Sequence, residues 1–164
     1  MENLKKKIQK LSNLYQAKEL DKAETLCKNL LISHPDVVFL YNLMGLILAD
    51  QKKIDEAENY YKKGIRINPN FALIYNNLAS IYKYKQKYKE AESNFKKSIE
   101  LDSNIPEPCN NLGNLYIFLN KYDEGIHYYN KALNINPKFF IAHYNLGVAL
   151  KAIGKIEEAK KHLK

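Results

Sequence analysis

A period of 34 residues runs through this chain of 164 residues and constrains its fold more than any other feature. Pro35, Pro69 and Pro137 lie one and two periods apart, with Ser103 on the remaining beat. The same interval links Gly45, Ala79, Gly113 and Gly147, then Ala23, Ala57, Ala91, Gly125 and Ala159, and then Tyr61, Phe95 and Tyr129. Registers recurring in phase over a whole chain mean that one supersecondary unit is stacked on copies of itself, since a single unit that small cannot bury its own apolar face.

The apolar spacing inside each period is helical. Leu40, Tyr41, Met44 and Leu48 recur at intervals of one, three and four, and Ala57, Tyr61 and Ile65 at intervals of four after the polar turn Asp50 to Lys53. Each period therefore reads as a hairpin of two helices, the first of about 13 residues and the second about as long, closed by the proline. Small residues such as Gly45 and Ala57 are expected to face each other where the helices cross, at the close end of ordinary helix packing, about 8 Å. The aromatic at Tyr61 or Phe95 is then expected to fill the gap beside the next repeat. Pro106 and Pro108 open the fourth repeat, where proline is tolerated in a first helical turn.

With these residues in place the chain resembles the tetratricopeptide repeats, whose 34-residue signature is W-x2-L-G-x2-Y, then A-x3-F, then P. The match reads Tyr41-x2-Met44-Gly45-x2-Leu48 with Ala57-x3-Tyr61 and Pro69. It recurs as Tyr75-x2-Leu78-Ala79-x2-Tyr82 with Ala91-x3-Phe95, and as Cys109-x2-Leu112-Gly113-x2-Tyr116 with Gly125-x3-Tyr129 and Pro137. A fifth copy begins with His143-x2-Leu146-Gly147-x2-Leu150 and Ala159-x3-Leu163. The resemblance implies an all-α, right-handed superhelical solenoid of antiparallel helix pairs. Residues 1–164 would form a single domain of about 4.5 repeats: 4–37, 38–71, 72–105, 106–139 and an incomplete 140–164. The first copy has Lys7 and Lys10 where later copies are apolar, and Leu11 where they carry Gly or Ala, as suits a terminal repeat with one face in water. The half-length second helix of the last copy is marginal alone, so the chain is expected to be cut from something longer.

Composition excludes several classes. At 46% hydrophobic and 27% charged residues the chain can form a packed core. It has no apolar run that would span a bilayer and no apolar stretch behind the lysines of residues 1–10, so a cytoplasmic or nuclear location is expected. Cys27 and Cys109 are too few and too ill-spaced for a disulfide framework or a zinc site and read as buried thiols. The net charge of +8 rests on 25 lysines and one arginine, Arg66. Bidentate recognition of bases and phosphates prefers arginine, which argues against nucleic acid as the partner. Lys28, Lys62 and Lys96 follow Glu24, Glu58 and Glu92 by four residues, the favoured order for intrahelical pairing. Lys63, Lys97 and Lys131, and the turn lysines Lys53, Lys87, Lys121 and Lys155, are expected to be less well paired.

No enzyme chemistry is visible. The repeat accounts for all six glycines, which leaves no phosphate-binding loop, and the histidines lack metal-ligand spacing, so neither cofactor nor metal is expected. Cys109 and His143 occupy equivalent positions in neighbouring repeats, on the order of 10 Å apart, too far for a nucleophile and its base. Asp123 with His127 and Glu158 with His162 read as solvated helical pairs.

Within the resembled family the first helices of successive repeats line a concave groove that holds an extended partner segment. Carried over by register, that face comprises Phe39, Asn42 and Leu46, then Leu73, Asn76, Ser80 and Tyr84, then Glu107, Asn110, Asn114 and Phe118, then Ile141, Tyr144 and Val148. Two asparagine columns stand out at the repeat interval: Asn42, Asn76 and Asn110, and beside them Asn77, Asn111 and Asn145. A side-chain amide donates and accepts, so such a column can pair with the main chain of a peptide whatever its sequence; packing or simple solvation explains it equally well. Aromatic anchors would supply the affinity, and Phe39, Tyr84, Phe118 and Tyr144 are the candidates. The implied function is a protein–protein interaction scaffold. A similar inner asparagine ladder is found in the O-linked N-acetylglucosamine transferases, so the alternative is a substrate-recognition region of a larger enzyme. Clamp lysines for a chaperone C-terminal tail are missing from the matching columns, which argues against that partner. End-to-end self-association through Ile156, Ala159 and Leu163 is a further expectation.

Overall fold

The computed structural model describes residues 2–163, with side chains from residue 3 onward. All regular structure among the described residues is helical. The helices are α1 (Glu2–Gln16), α2 (Leu20–Ser33), α3 (Val38–Asp50), α4 (Ile54–Ile67), α5 (Ala72–Tyr84), α6 (Tyr88–Leu101), α7 (Pro106–Phe118), α8 (Tyr122–Ile135), α9 (Phe140–Ala152) and α10 (Ile156–His162). From α3 onward every first helix starts 34 residues after the last, and from α2 onward so does every second helix. The chain divides into two compact units, Met1–Ile81 and Tyr82–Lys164, with the boundary inside α5.

The turn inside each hairpin is one device used five times. Lys18, Lys52, Gln86, Asn120 and Gly154 all have positive φ, at 34-residue intervals. The next amide reaches back to close the first helix: Lys53 to Leu48, Lys121 to Tyr116 and Lys155 to Leu150, each at 2.8–2.9 Å. This pairing satisfies carbonyls that a helix end leaves open. The turn between hairpins is equally regular, with the side chains of Asn68, Asp102 and Asn136 accepting from the amide two residues on. The hydroxyls of Tyr41 and Tyr75 donate to the carbonyls of Pro35 and Pro69, both at 2.9 Å, and His143 Nε2 takes the same place against Pro137 at 3.0 Å. These contacts fix where each hairpin leaves and the next begins.

In the first unit α3 packs on α4 and α2, and α1 on α2. Leu11, Ala23, Cys27, Leu40, Met44, Ile47, Leu48, Ala57 and Tyr61 are buried. In the second unit Tyr129, Leu146, Ala149, Leu150 and Ala159 form one core cluster, and Cys109, Ala132 and Ala142 another. The small residues meet across the hairpin as expected at Gly113 and Gly125, where a Cβ on either would lie 3.1–3.2 Å from the carbonyl oxygen of the other, and Tyr129 packs with Leu146, Ala149 and Leu150 of the next repeat. A methyl group on Gly45 would strike the Tyr61 ring, so the aromatic fills the space inside its own hairpin and leaves no room for a side chain at the glycine. Gly113 stands likewise against Tyr129, and Gly147 against Leu163. Ala159, expected to be exposed with Ile156 and Leu163, is buried, because α10 turns it onto α9.

Candidate partner-binding surface

The asparagine columns are joined to each other. In the first unit Asn77 Nδ2 donates to Asn42 Oδ1 at 2.8 Å, and Asn76 Nδ2 donates to Asn77 Oδ1 at 3.2 Å. In the second unit Asn145 Nδ2 donates to Asn110 Oδ1 at 2.9 Å, and Asn110 Nδ2 to Asn111 Oδ1 at 3.4 Å. The long-range step is 35 residues, one repeat plus one, so each bond crosses from one column to the other between successive first helices. Asn42 and Asn110 are each only 4% exposed. A buried amide without a partner is costly, and these bonds remove that cost while tying neighbouring hairpins together. Asn114 is also engaged: its Oδ1 accepts from the Tyr129 hydroxyl at 2.7 Å.

The apolar residues of the same face are the ones left open. On α7 and α9 of the second unit Phe118 is 59% exposed, Tyr144 56%, and Ile141 and Val148 are exposed beside them. Ile141, Tyr144 and Val148 follow at intervals of three and four and share one side of α9. Tyr84 is exposed at the end of α5, and Phe118 leans on Tyr88 with ring centres 5.4 Å apart. In the first unit Leu73 is exposed, whereas Phe39 and Leu46 are half-buried. Glu107 is an exposed carboxylate on this face of α7.

The expected lysine pairing is present: Lys28 with Glu24, Lys62 with Glu58, and Lys96 with Glu92, at 2.5–2.6 Å. Glu24 also accepts from Lys53 at 2.9 Å, and these two lysines hold its carboxyl down at about 2. The remaining lysines are better partnered than expected. Lys97 pairs with Glu100 at 3.0 Å, and Lys155 approaches Glu158 at 4.0 Å. The ammonium groups of Lys63, Lys131, Lys87 and Lys121 lie over the rings of Tyr60, Tyr128, Tyr82 and Tyr116, 5.0–5.9 Å from their centres. Each of these lysines thus meets a carboxylate or an aromatic ring.

Neither cysteine is poised to react. Burial pushes the Cys27 thiol up to about 12, and it donates to the Leu40 carbonyl. Cys109 is raised by burial too, against an opposing pull from Lys131. His143 points elsewhere: its Nδ1 lies 2.9 Å from His162 Nδ1. That pair replaces the expected Glu158–His162 pairing, because α10 brings His162 across the hairpin. His127 stands edge-on to Tyr128. Among the described residues no three His, Cys, Asp or Glu side chains converge as metal ligands, and no helix is long and apolar enough to cross a membrane.

Hairpins repeating at 34 residues, with a glycine set against a tyrosine ring at Gly45 and Gly113, agree with what family comparison finds. The tetratricopeptide repeat model matches residues 38–71 and 72–105, and a second TPR repeat model matches residues 113–154. The chain is a tetratricopeptide-repeat protein. Comparison with curated proteins gives no match. Among solved structures, MamA shares 23% identity at a TM-score of 0.75, over 93% of this chain and 89% of its own. The pilF protein of Pseudomonas aeruginosa shares 17% at a TM-score of 0.88, over 98% of this chain and 73% of its own. YrrB, described as a TPR protein with an unusual peptide-binding site, shares 20% at a TM-score of 0.69, over 83% of this chain and 70% of its own. At these identities the likeness is one of fold, and it places this TPR chain among helical-hairpin solenoids.

Proposed function

We propose that this TPR protein is an interaction scaffold that holds an extended segment of a partner protein along the first-helix face of its repeats. The observation that carries the reading is the set of exposed apolar side chains on α7 and α9, led by Phe118 and Tyr144. Exposed aromatics on one face are common anchors of a protein contact. That YrrB has a peptide-binding site is consistent with such a role for this fold. The contacts assigned to the partner are Phe39, Asn42, Asn76 and Asn77 in the first unit, and Tyr84, Asn110, Asn111, Asn114, Phe118, Tyr144 and Asn145 in the second. The two sets divide the work. Aromatics supply apolar area, and the half-buried amides of Asn77, Asn111, Asn114 and Asn145, groups that both donate and accept, are the ones placed to meet a main chain, with the buried Asn42, Asn76 and Asn110 behind them. Each such bond adds only about 0.5 to 1.5 kcal/mol, so selectivity rests on the apolar anchors.

The test is capture of partners from the source cell by the wild-type protein and by a Phe118→Ser/Tyr144→Ser double variant, with bound segments identified by cross-linking. Loss of a specific partner from the variant, at unchanged thermal stability, is the expected result. Equal capture by both proteins would refute the assignment.

A further inference from the structure

The second helices of the first unit carry a separate surface. Lys28, Leu31, Ile32, Tyr41, Tyr60 and Lys63 line an open groove formed by α2, α3 and α4. Its apolar rim is Ile32, which at 81% exposure stands further into solvent than any other large apolar side chain described. The repeat itself serves as the control. One position earlier, Leu31 aligns with Ile65, Ile99 and Leu133, all apolar and half-buried, so the fold requires an apolar residue there. Ile32 aligns with Arg66, Glu100 and Asn134, so the fold requires none here. An isoleucine in a column that is otherwise polar, exposed beside the Tyr41 and Tyr60 rings, has no structural task within the hairpin.

Charge selects the occupant. Two of the six lining residues are lysines and none is acidic. The one carboxylate bonded to Lys28, that of Glu24, is shared with Lys53. Lys63 rests over the Tyr60 ring, and a ring does not neutralise its charge. Glu56 acts on Lys28 from α4 as the weakest of the influences on it, and neither it nor Glu24 lines the groove. We infer that this groove, lined by α2, α4 and Tyr41 of α3, is a second docking site for a partner segment in which an apolar side chain is flanked by carboxylates. The apolar residue packs against Ile32, Leu31 and the tyrosines, and the carboxylates take up the unused donors of Lys28 and Lys63.

The probe is a short synthetic peptide of alternating glutamate and leucine, with a lysine and leucine peptide of the same length as the control. Methyl and amide resonances of the full chain report where each binds. The Glu/Leu peptide is expected to shift Leu31, Ile32 and Lys63, to bind at least about tenfold more tightly than its Lys/Leu counterpart, and to weaken as salt rises. Ile32→Asn, the residue of the fourth repeat, and Lys63→Gln are each expected to weaken it about tenfold, with melting temperature unchanged because both side chains face water. Four results would each overturn the inference: no binding of the Glu/Leu peptide at millimolar concentration, equal binding of both peptides, shifts confined to Ile141 and Val148 on α9, or an oligomer of the free protein that Ile32→Asn dissolves. The last would make a second copy the occupant.

Discussion

Substituting Gly113 by alanine tests the packing logic of the hairpins at its tightest point. A Cβ at residue 113 would lie 2.7 Å from Cδ1 and Cε1 of Tyr129 and 3.1 Å from the carbonyl oxygen of Gly125. The ring cannot swing aside freely, since Tyr129 is 2% exposed and its hydroxyl is bonded to Asn114 at 2.7 Å. Overpacking of this kind costs roughly 1 to 3 kcal/mol, and stretching the tyrosine bond adds about 1 kcal/mol. Alanine returns about 1 kcal/mol through helix propensity. The net is about 2 kcal/mol of destabilisation, which lowers the melting temperature by about 4 to 8 °C for a chain of this length. Repeats unfold partly on their own, so thermal melts followed by circular dichroism should be joined to amide exchange of α7 and α8. An Asn114→Ala background frees the ring, and there the alanine should cost about 1 kcal/mol less. Gly154→Ala is the contrasting case: nothing lies within 4 Å of the added methyl, and φ is +82°, so it should lose only the backbone term of roughly 1 kcal/mol. A Gly113→Ala protein that melts at or above the wild-type temperature would refute the argument.

Three further outcomes follow from the bonding pattern. Glu24 titrates near 2 in the folded chain, held down by Lys28 and Lys53, against about 4.3 when unfolded. Its stabilisation is therefore complete above the unfolded value and disappears as pH falls through about 2. Glu24→Gln should lower stability at pH 7 by about 2 kcal/mol and narrow its gap to wild type in acid, as read by urea unfolding at several pH values. His162 is lowered by burial first and then by His143 and Lys161, with Glu158 opposing. The stability it contributes is present above the ordinary histidine value of about 6.5 and is lost as pH falls through its lower folded value, so the protection of the α10 amides, with exchange corrected for its intrinsic pH dependence, should fall on acidification and His162→Phe should remove that dependence. Asn145→Ala deprives the buried Asn110 Oδ1 of its donor and should cost about 1 to 3 kcal/mol without any ligand present; an unchanged urea midpoint would mean that the column carries no structural bond.

The period made the architecture legible, and side-chain direction decided what was not. Helix starts follow the 34-residue interval because the prolines, small residues and aromatics that set each crossing recur at it. The hairpin turns were legible by register: of Lys18, Lys52, Gln86, Asn120 and Gly154, only the glycine and, more weakly, the asparagine advertise positive φ. The asparagine columns were visible, but the bonds between them run at 35 residues, across the columns, and depend on where adjacent amides point. The His143–His162 pair was hidden because His162 was compared with Glu158 on its own helix and His143 with Cys109 one repeat earlier. Its signal lay in the repeat, since Tyr41 and Tyr60, at the same two positions three repeats earlier, already stand with ring centres 6.4 Å apart. A position that every copy fills alike reports what the hairpin needs in order to fold. Tyr144 stands where earlier copies have Asn42, Asn76 and Asn110, and Ile32 where later copies have Arg66, Glu100 and Asn134. At these places the repeat rule lapses and an apolar side chain is left in water. The hairpin needs neither side chain in order to fold, and contact with another molecule is the role we propose for both.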